Sequence, residues 1–187
     1  MDHGLVALAQ QGDQRAFESL TLTHHTRLFR VAYGILRDRY LAEDATQRAF
    51  LDIWRYIRRL RDPAKFDGWS YRLLVHACYA EANRAKPRSR DVEVLSEDIA
   101  SPIDEYRSVV ERDELERAFR RLSLDHRAVI VLRHLLGMTP DEVADVLGIS
   151  REAVYSRLRR ALPALRAALE ADTRIPSKAP TRQEVAP

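Results

Sequence analysis

Thr139–Leu169, TPDEVADVLGISREAVYSRLRRALPALRAAL, is the stretch whose punctuation decides the fold. Thr139 is placed to cap free backbone N–H groups, Pro140 sits where its missing N–H costs nothing, and Glu142 closes a capping box. Val143, Val146 and Leu147 form the apolar stripe of a helix that stops at Gly148, where a left-handed turn carries no steric penalty. Ile149 follows, and Ser150 caps a second helix with apolar positions at Val154, Leu158, Ala161 and Leu162. Two short helices joined through a glycine turn form a helix-turn-helix pattern. Ala144 is small where the helices cross, and Val154 is placed to be buried.

The second helix carries Arg151, Arg157, Arg159, Arg160 and Arg166 against Glu152 alone, in a chain whose net charge is only +3. Positive charge concentrated on the helix that enters a major groove points to DNA. The competing reading is an ordinary helical hairpin with a solvated arginine face. Ser150 to Arg160 therefore form the first candidate surface, with Ser150, Arg151, Glu152, Tyr155, Ser156, Arg157, Arg159 and Arg160 as its contact residues.

The composition of the 187 residues, 45% apolar and 32% charged, belongs to a globular chain with one or two modest cores. Basic residues are nearly all arginine, which suits bidentate phosphate and base-edge contacts. Cys78 is the only cysteine, which excludes an intramolecular disulfide and a cysteine zinc site. Neither a signal peptide nor a membrane span is legible, so a cytoplasmic protein without membrane insertion is expected. Six glycines and no alternating pattern predict an all-α fold.

Upstream, residues 4–22 read as a helix broken near Gly12-Asp13, and a second helix is predicted from Thr23 to Arg37. The adjacent His24 and His25 point to different helix faces and lack a third ligand, so no metal is expected. In residues 40–60, Leu41, Ala45, Ala49, Ile53, Ile57 and Leu60 make one buried stripe. The other side presents Asp44, Gln47, Arg48, Leu51, Asp52, Trp54 and Arg55, a mixture typical of a protein-docking face. Trp54 either belongs to that face or folds back into the core.

Residues 61–68 read as a loop, followed by a helix from Trp69 to about Ala85. Leu73, Leu74, Ala77 and Cys78 are its expected core, with Trp69, Tyr71, Arg72, His76 and Tyr79 at the rim. Arg61, Lys65, Phe66 and Asp67 in the loop complete a basic–aromatic cluster suited to stacking single-stranded bases. The simpler reading of Phe66 and Trp69 is as plugs of the helical core.

Residues 87–107 lack helical periodicity and pass from basic to acidic, as expected of a flexible tether between two domains, 1–86 and 108–171. In the second domain, Glu111–Leu122 forms a short helix, and Ser123 caps another that runs to Leu136 and buries Leu135. Pro163 predicts a kink or an early helix end, and residues 172–187 a disordered tail.

Two small helical domains in this order, the second with a helix-turn-helix, resemble a bacterial sigma factor of the extracytoplasmic-function (ECF) type. Gly12-Asp13 with Ala16, Phe17 and Leu20 is similar to the family's opening. Ala42-Glu43-Asp44 with Gln47, Phe50, Leu51 and Trp54 is similar to its polymerase-docking helix, and Trp69, Tyr71 and Arg72 to the start of its −10 helix. Leu135–Thr139, Val143-Ala144, Leu147–Ser150 and Val154–Leu158 are similar to its −35-reading domain.

The resemblance implies that the docking helix binds the β′ clamp helices of core RNA polymerase, with the β flap as a further contact. It implies that residues 61–68 capture an unstacked −10 base and that Ser150–Arg160 read the −35 duplex. It also implies an anti-sigma partner; no glycine-rich phosphate loop, nucleophile elbow or metal spacing is present in the sequence, so neither a cofactor nor catalysis is expected. Arg48, His76, Ala80 and Leu124 depart from the family's usual residues, and the arginine cluster after the −10 helix thins to Arg84, Lys86, Arg88 and Arg90. Two other readings stand beside this one: a helix-turn-helix regulator that is not a polymerase subunit, and a protein-interaction module with incidental charge.

Overall fold

The computed structural model of the chain describes residues 3–85 and 107–173. The predicted tether, with its basic and acidic runs, and the predicted tail beyond Thr173 lie outside the described residues. Among the described residues the chain is all-α: α1 (His3–Gln10), α2 (Gln14–Leu36), α3 (Arg39–Tyr56) and α4 (Phe66–Ala85) form a first unit. A second unit comprises α5 (Arg107–Arg121), α6 (Leu124–Ile130), α7 (Pro140–Leu147) and α8 (Arg151–Thr173). No helix among them is long and apolar enough to cross a membrane.

The first unit is built on α3. Ala45, Ala49, Ile53 and Ile57 are almost wholly buried and Leu60 nearly so, as the stripe predicts, while Leu41 is half-buried. Val31, Ile35, Leu74 and Cys78 close on them from α2 and α4. Cys78 is a core residue whose thiol burial pushes up to about 12.

The predicted break at residues 22–23 does not occur: α2 runs unbroken through it. The Ser19, Thr21 and Thr23 hydroxyls donate back to the carbonyls four residues earlier, at 2.9–3.0 Å, instead of capping a new helix. His24 and His25 consequently lie mid-helix. The loop of residues 61–68 is also shorter than predicted, because Asp62 caps a 3-10 turn over Pro63–Lys65 and α4 starts at Phe66.

In the second unit, Ser123 caps α6 as predicted, accepting from the His126 N–H. The helix then widens into a π-helical turn over Val131–Leu135, with Leu136 N–H donating to the Val131 carbonyl at 3.2 Å. That extra residue rotates the chain, so Leu135, expected in the core, is 60% exposed. Leu162 is likewise more exposed than its stripe suggests. Pro163 does not end α8, which continues to Thr173. Pro163 is exposed, while Ala164 and Leu165 pack on the second unit's core and Ala168 is buried beyond it, contacts that offset the loss of one helical hydrogen bond, about 3 kcal/mol.

The two units share one apolar core. Val131, Leu132, Val143, Val146 and Val154 of the second join the first unit's cluster, with α7 against α4 and α6 against α2.

Candidate nucleic-acid interface

The helix-turn-helix forms as its punctuation dictates. Thr139 Oγ1 accepts from the Glu142 N–H while Glu142 Oε2 accepts from the Thr139 N–H at 2.7 Å, closing the capping box. Those bonds hold the Glu142 carboxyl below the usual carboxylate range. Gly148 takes φ 65°, Ala144 is half-buried at the crossing, and Val154 is fully buried.

With Val154 turned inward, α8 shows Arg151, Glu152, Tyr155, Arg159 and Arg160 to solvent, while Ser156 and Arg157 are half-buried. Ser150 Oγ accepts the Ala153 N–H at 3.2 Å, so this oxygen is occupied as a helix cap. The Arg151 guanidinium lies over the Tyr155 ring and reaches its hydroxyl at 3.4 Å, with Asp141 of α7 at 3.4 Å on its other side. Arg157 instead turns toward α6, where Asp125 lies 3.4 Å away.

The second cluster surrounds the start of α4. Arg61, Lys65, Asp67, Arg72 and His76 are exposed, and Trp69 and Tyr79 half-buried. Phe66 and Tyr71, predicted in the loop and at the rim, are buried instead. The helix is covered both by α3 and by α7, so its inward face is wider than the sequence stripe, and Leu73 is only half-buried. Arg27 lies over the Tyr71 ring at 5.2 Å, and burial pushes the phenol up to about 12. Phe66 supports Trp69 from beneath, ring centroids 6.2 Å apart. Asp67 is held from α2 by Arg27 at 3.4 Å. Tyr79 donates its hydroxyl to Asp125 of the second unit at 2.5 Å, and burial is the main force raising its pKa.

The third surface lies on α3. Asp44, Gln47, Arg48, Leu51, Trp54 and Arg55 are all exposed on the side away from the stripe. Asp52 sits between Arg48 at 3.7 Å and Arg55 at 3.5 Å. Trp54 meets both sequence readings: it is 38% exposed, and its ring packs on Phe17 with centroids 4.7 Å apart.

The sequence reading missed three residues. Asp125 ties Tyr79 to Arg157, Asp141 orients Arg151, and Gln10 clamps the chain before the loop. The Gln10 amide donates to the Ile57 carbonyl at 3.1 Å and to the Leu60 carbonyl at 2.5 Å. Each acts across a fold contact rather than along a helix, and no local periodicity marks it.

An exposed mixed face on α3, a basic–aromatic cluster at the start of α4 and a helix-turn-helix in one all-α chain fit the nucleic-acid-binding class. Residues 20–88 match the Sigma-70 region 2 family and residues 112–165 the Sigma-70, region 4 family. The ECF RNA polymerase sigma factor SigM of Mycobacterium tuberculosis is 32% identical over 160 residues, covering 86% of this chain and 80% of that protein. The RNA polymerase sigma-H factor of Pseudomonas aeruginosa is 27% identical over 181 residues, covering 90% and 94%. Among solved structures, CnrH in complex with the cytosolic domain of CnrY superposes with a TM-score of 0.67 at 27% identity, covering 91% of this chain and 98% of that one. The fold is also that of RpoE from Bartonella quintana, solved with the anti-sigma factor NepR, with a TM-score of 0.65 at 22% identity and coverage of 83% and 98%. The chain belongs to the ECF family of RNA polymerase sigma factors.

Proposed function

We infer that the chain binds core RNA polymerase and directs promoter-specific initiation by recruitment and strand opening, without covalent chemistry of its own. The observation that carries this reading is the presence of both sigma regions, in order, in one short chain. α3 docks on the β′ clamp helices through Asp44, Gln47, Leu51 and Trp54, flanked by Arg48 and Arg55. α8 lies in the −35 major groove, with Arg151, Glu152, Tyr155 and Ser156 toward base edges and Arg157, Arg159 and Arg160 toward bases or phosphates.

At the −10 element, Arg61, Lys65 and Arg72 contact phosphates, and Trp69 stacks an unpaired base. Asp67, His76 and Tyr79 complete that surface. The burial of Phe66 and Tyr71 supports a role beneath Trp69 rather than against a base. Flipping a base costs a few kcal/mol, which stacking and phosphate contacts offset. An anti-sigma partner covering these surfaces and a cytoplasmic site of action belong to the same reading. A regulator using only its helix-turn-helix leaves the exposed face of α3 without a role.

Run-off transcription with purified core polymerase, with and without the chain, on a panel of promoters tests this reading. Core-dependent, promoter-specific transcripts are expected. Duplex binding without core binding or initiation would transfer the reading to a free regulator.

A further inference from the structure

We propose that the cleft between α4 and α7 is a binding site for a free guanine nucleotide: Lys65 and Arg72 hold its phosphate, Trp69 stacks its base, and the Glu142 and Asp145 carboxylates read its amino edge.

The cleft has a volume of ≈ 630 Å³ and is lined from both units. That volume falls within the roughly 300–1,000 Å³ of small-molecule sites. Packing elsewhere along the same contact holds its two walls in place. A Cβ at Gly34 of α2 would come within 2.9 Å of Val131, and Arg37, left-handed at φ 56°, pairs with Glu116 of α5. Beside the cleft, α4 packs directly on α7.

The walls carry opposite charge. On the first-unit side Arg27 and Asp67 pair with each other at 3.4 Å, which leaves Lys65 and Arg72, both exposed, as the uncommitted cations. On the other side stand Glu142 and Asp145, three residues apart and hence on one face of α7. Asp145 is exposed, and Glu142 commits Oε2 to the Thr139 N–H and hydroxyl, which leaves Oε1. Among the described residues no ion pair joins these two cations to these two carboxylates. Such a space is completed by a molecule that is anionic at one end and donates hydrogen bonds at the other.

The lining between the charges is aromatic and apolar. Trp69 is half-buried with Phe66 behind it, ring centroids 6.2 Å apart, and Leu136 and Met138 lie on the second unit's side. An indole and a thioether suit the two faces of a planar base. Tyr71, only 2% exposed, lines the same cleft. Arg27 lies over its ring, and its buried hydroxyl has no hydrogen-bond partner, an arrangement that is costly until a ligand oxygen accepts from it.

These features select a nucleotide over other molecules with two polar ends. A zwitterionic amino acid would meet the charges and leave the aromatic lining unused. Among the bases, guanine presents N1–H and the N2 amino group side by side, two donors for two carboxylates, whereas uracil has no amino group. Lysine and arginine are the usual phosphate partners. By the −10 reading of Trp69, on which this consequence alone rests, a bound nucleotide and an unpaired promoter base exclude each other.

The test is calorimetric titration of the full-length chain with GMP, UMP, guanosine and inorganic phosphate. Wild type should bind GMP saturably, one to one, below about 1 mM, and at least about tenfold more tightly than the other three. Asp145→Ala should weaken GMP binding at least about fivefold and leave UMP binding unchanged. Arg72→Ala should weaken GMP binding to a similar extent and leave guanosine binding unchanged, because only a phosphate partner is lost. Circular dichroism checks that both variants remain helical. Absence of saturable GMP binding overturns the proposal, as does equal affinity for GMP, UMP and phosphate, which marks a nonspecific anion surface. A variant that loses every ligand equally overturns the role given to its side chain. Failure of the sigma reading shows separately, as absence of core-dependent transcription, because the titration contains neither DNA nor polymerase.

Discussion

Arg157 of α8 and Tyr79 of α4 meet on the same carboxylate: Asp125 lies 3.4 Å from the Arg157 guanidinium and accepts the Tyr79 hydroxyl. In the proposed −35 reading, Arg157 leaves Asp125 to reach DNA. Arg157→Ala should weaken binding to a cognate promoter duplex by about 1–3 kcal/mol if it contacts a base edge. Fluorescence anisotropy on cognate and scrambled duplexes measures this. An equal loss on both duplexes, with a flatter salt dependence, assigns the side chain to phosphate; no loss on either removes it from the groove.

Leu51 offers the cleanest test of docking, because it is 60% exposed and supports no core contact of note. Leu51→Ala combined with Asp44→Ala should reduce affinity for core polymerase at least tenfold, about 1.4 kcal/mol, while the melting temperature stays unchanged. Trp54→Ala should lower both, because the indole also packs on Phe17 and such ring pairs contribute about 0.5–1.5 kcal/mol. Unchanged core affinity in the double variant would move the docking surface off α3.

These surfaces were legible in the sequence to the extent that their causes are local. The capping box at Thr139, the glycine turn at 148 and the stripe from Ala45 to Leu60 depend on residues within a few positions of each other. Tyr71 was misplaced because its burial depends on α7, more than sixty residues away. Leu135 was misplaced because a π-helical turn adds a residue that no 3.6-residue period anticipates. The unbroken α2 and α8 carry a related lesson. Thr21 and Thr23 turned their hydroxyls back into the helix, and packing beyond Pro163 outweighed a missing hydrogen bond. Interior Gly34 and left-handed Arg37 become intelligible only when the second unit is in place.

The Gln10 side chain hydrogen-bonds α1 to the chain leading into the loop, through the Ile57 and Leu60 carbonyls. Gln10→Ala leaves both acceptors to find other donors, which should cost about 1–3 kcal/mol of stability. The functional loss should be selective. Permanganate reactivity of the opened −10 region should fall severalfold at saturating holoenzyme, while duplex binding through α8 stays at the wild-type level. Equal loss of both activities would mean that Gln10 serves general stability and not the position of the loop.

Glu142 gives the helix-turn-helix a pH dependence whose sign is fixed by its bonds. Hydrogen bonds from Thr139 lower its folded pKa below the ordinary value of about 4.3. Its contribution is therefore complete above the ordinary carboxylate pKa and is lost as pH falls through the lower folded value. Glu142→Gln should melt slightly below wild type at pH 7, by well under about 1 kcal/mol because the box is exposed to solvent. The difference should start to narrow as pH falls below the ordinary carboxylate pKa and vanish only once the wild-type carboxyl is protonated in the folded state as well. Thermal melts of both proteins from neutral to acid pH measure it. A gap that persists undiminished in acid would show that the carboxylate's charge contributes nothing to the start of α7, leaving the Thr139 hydroxyl and Pro140 to fix it alone.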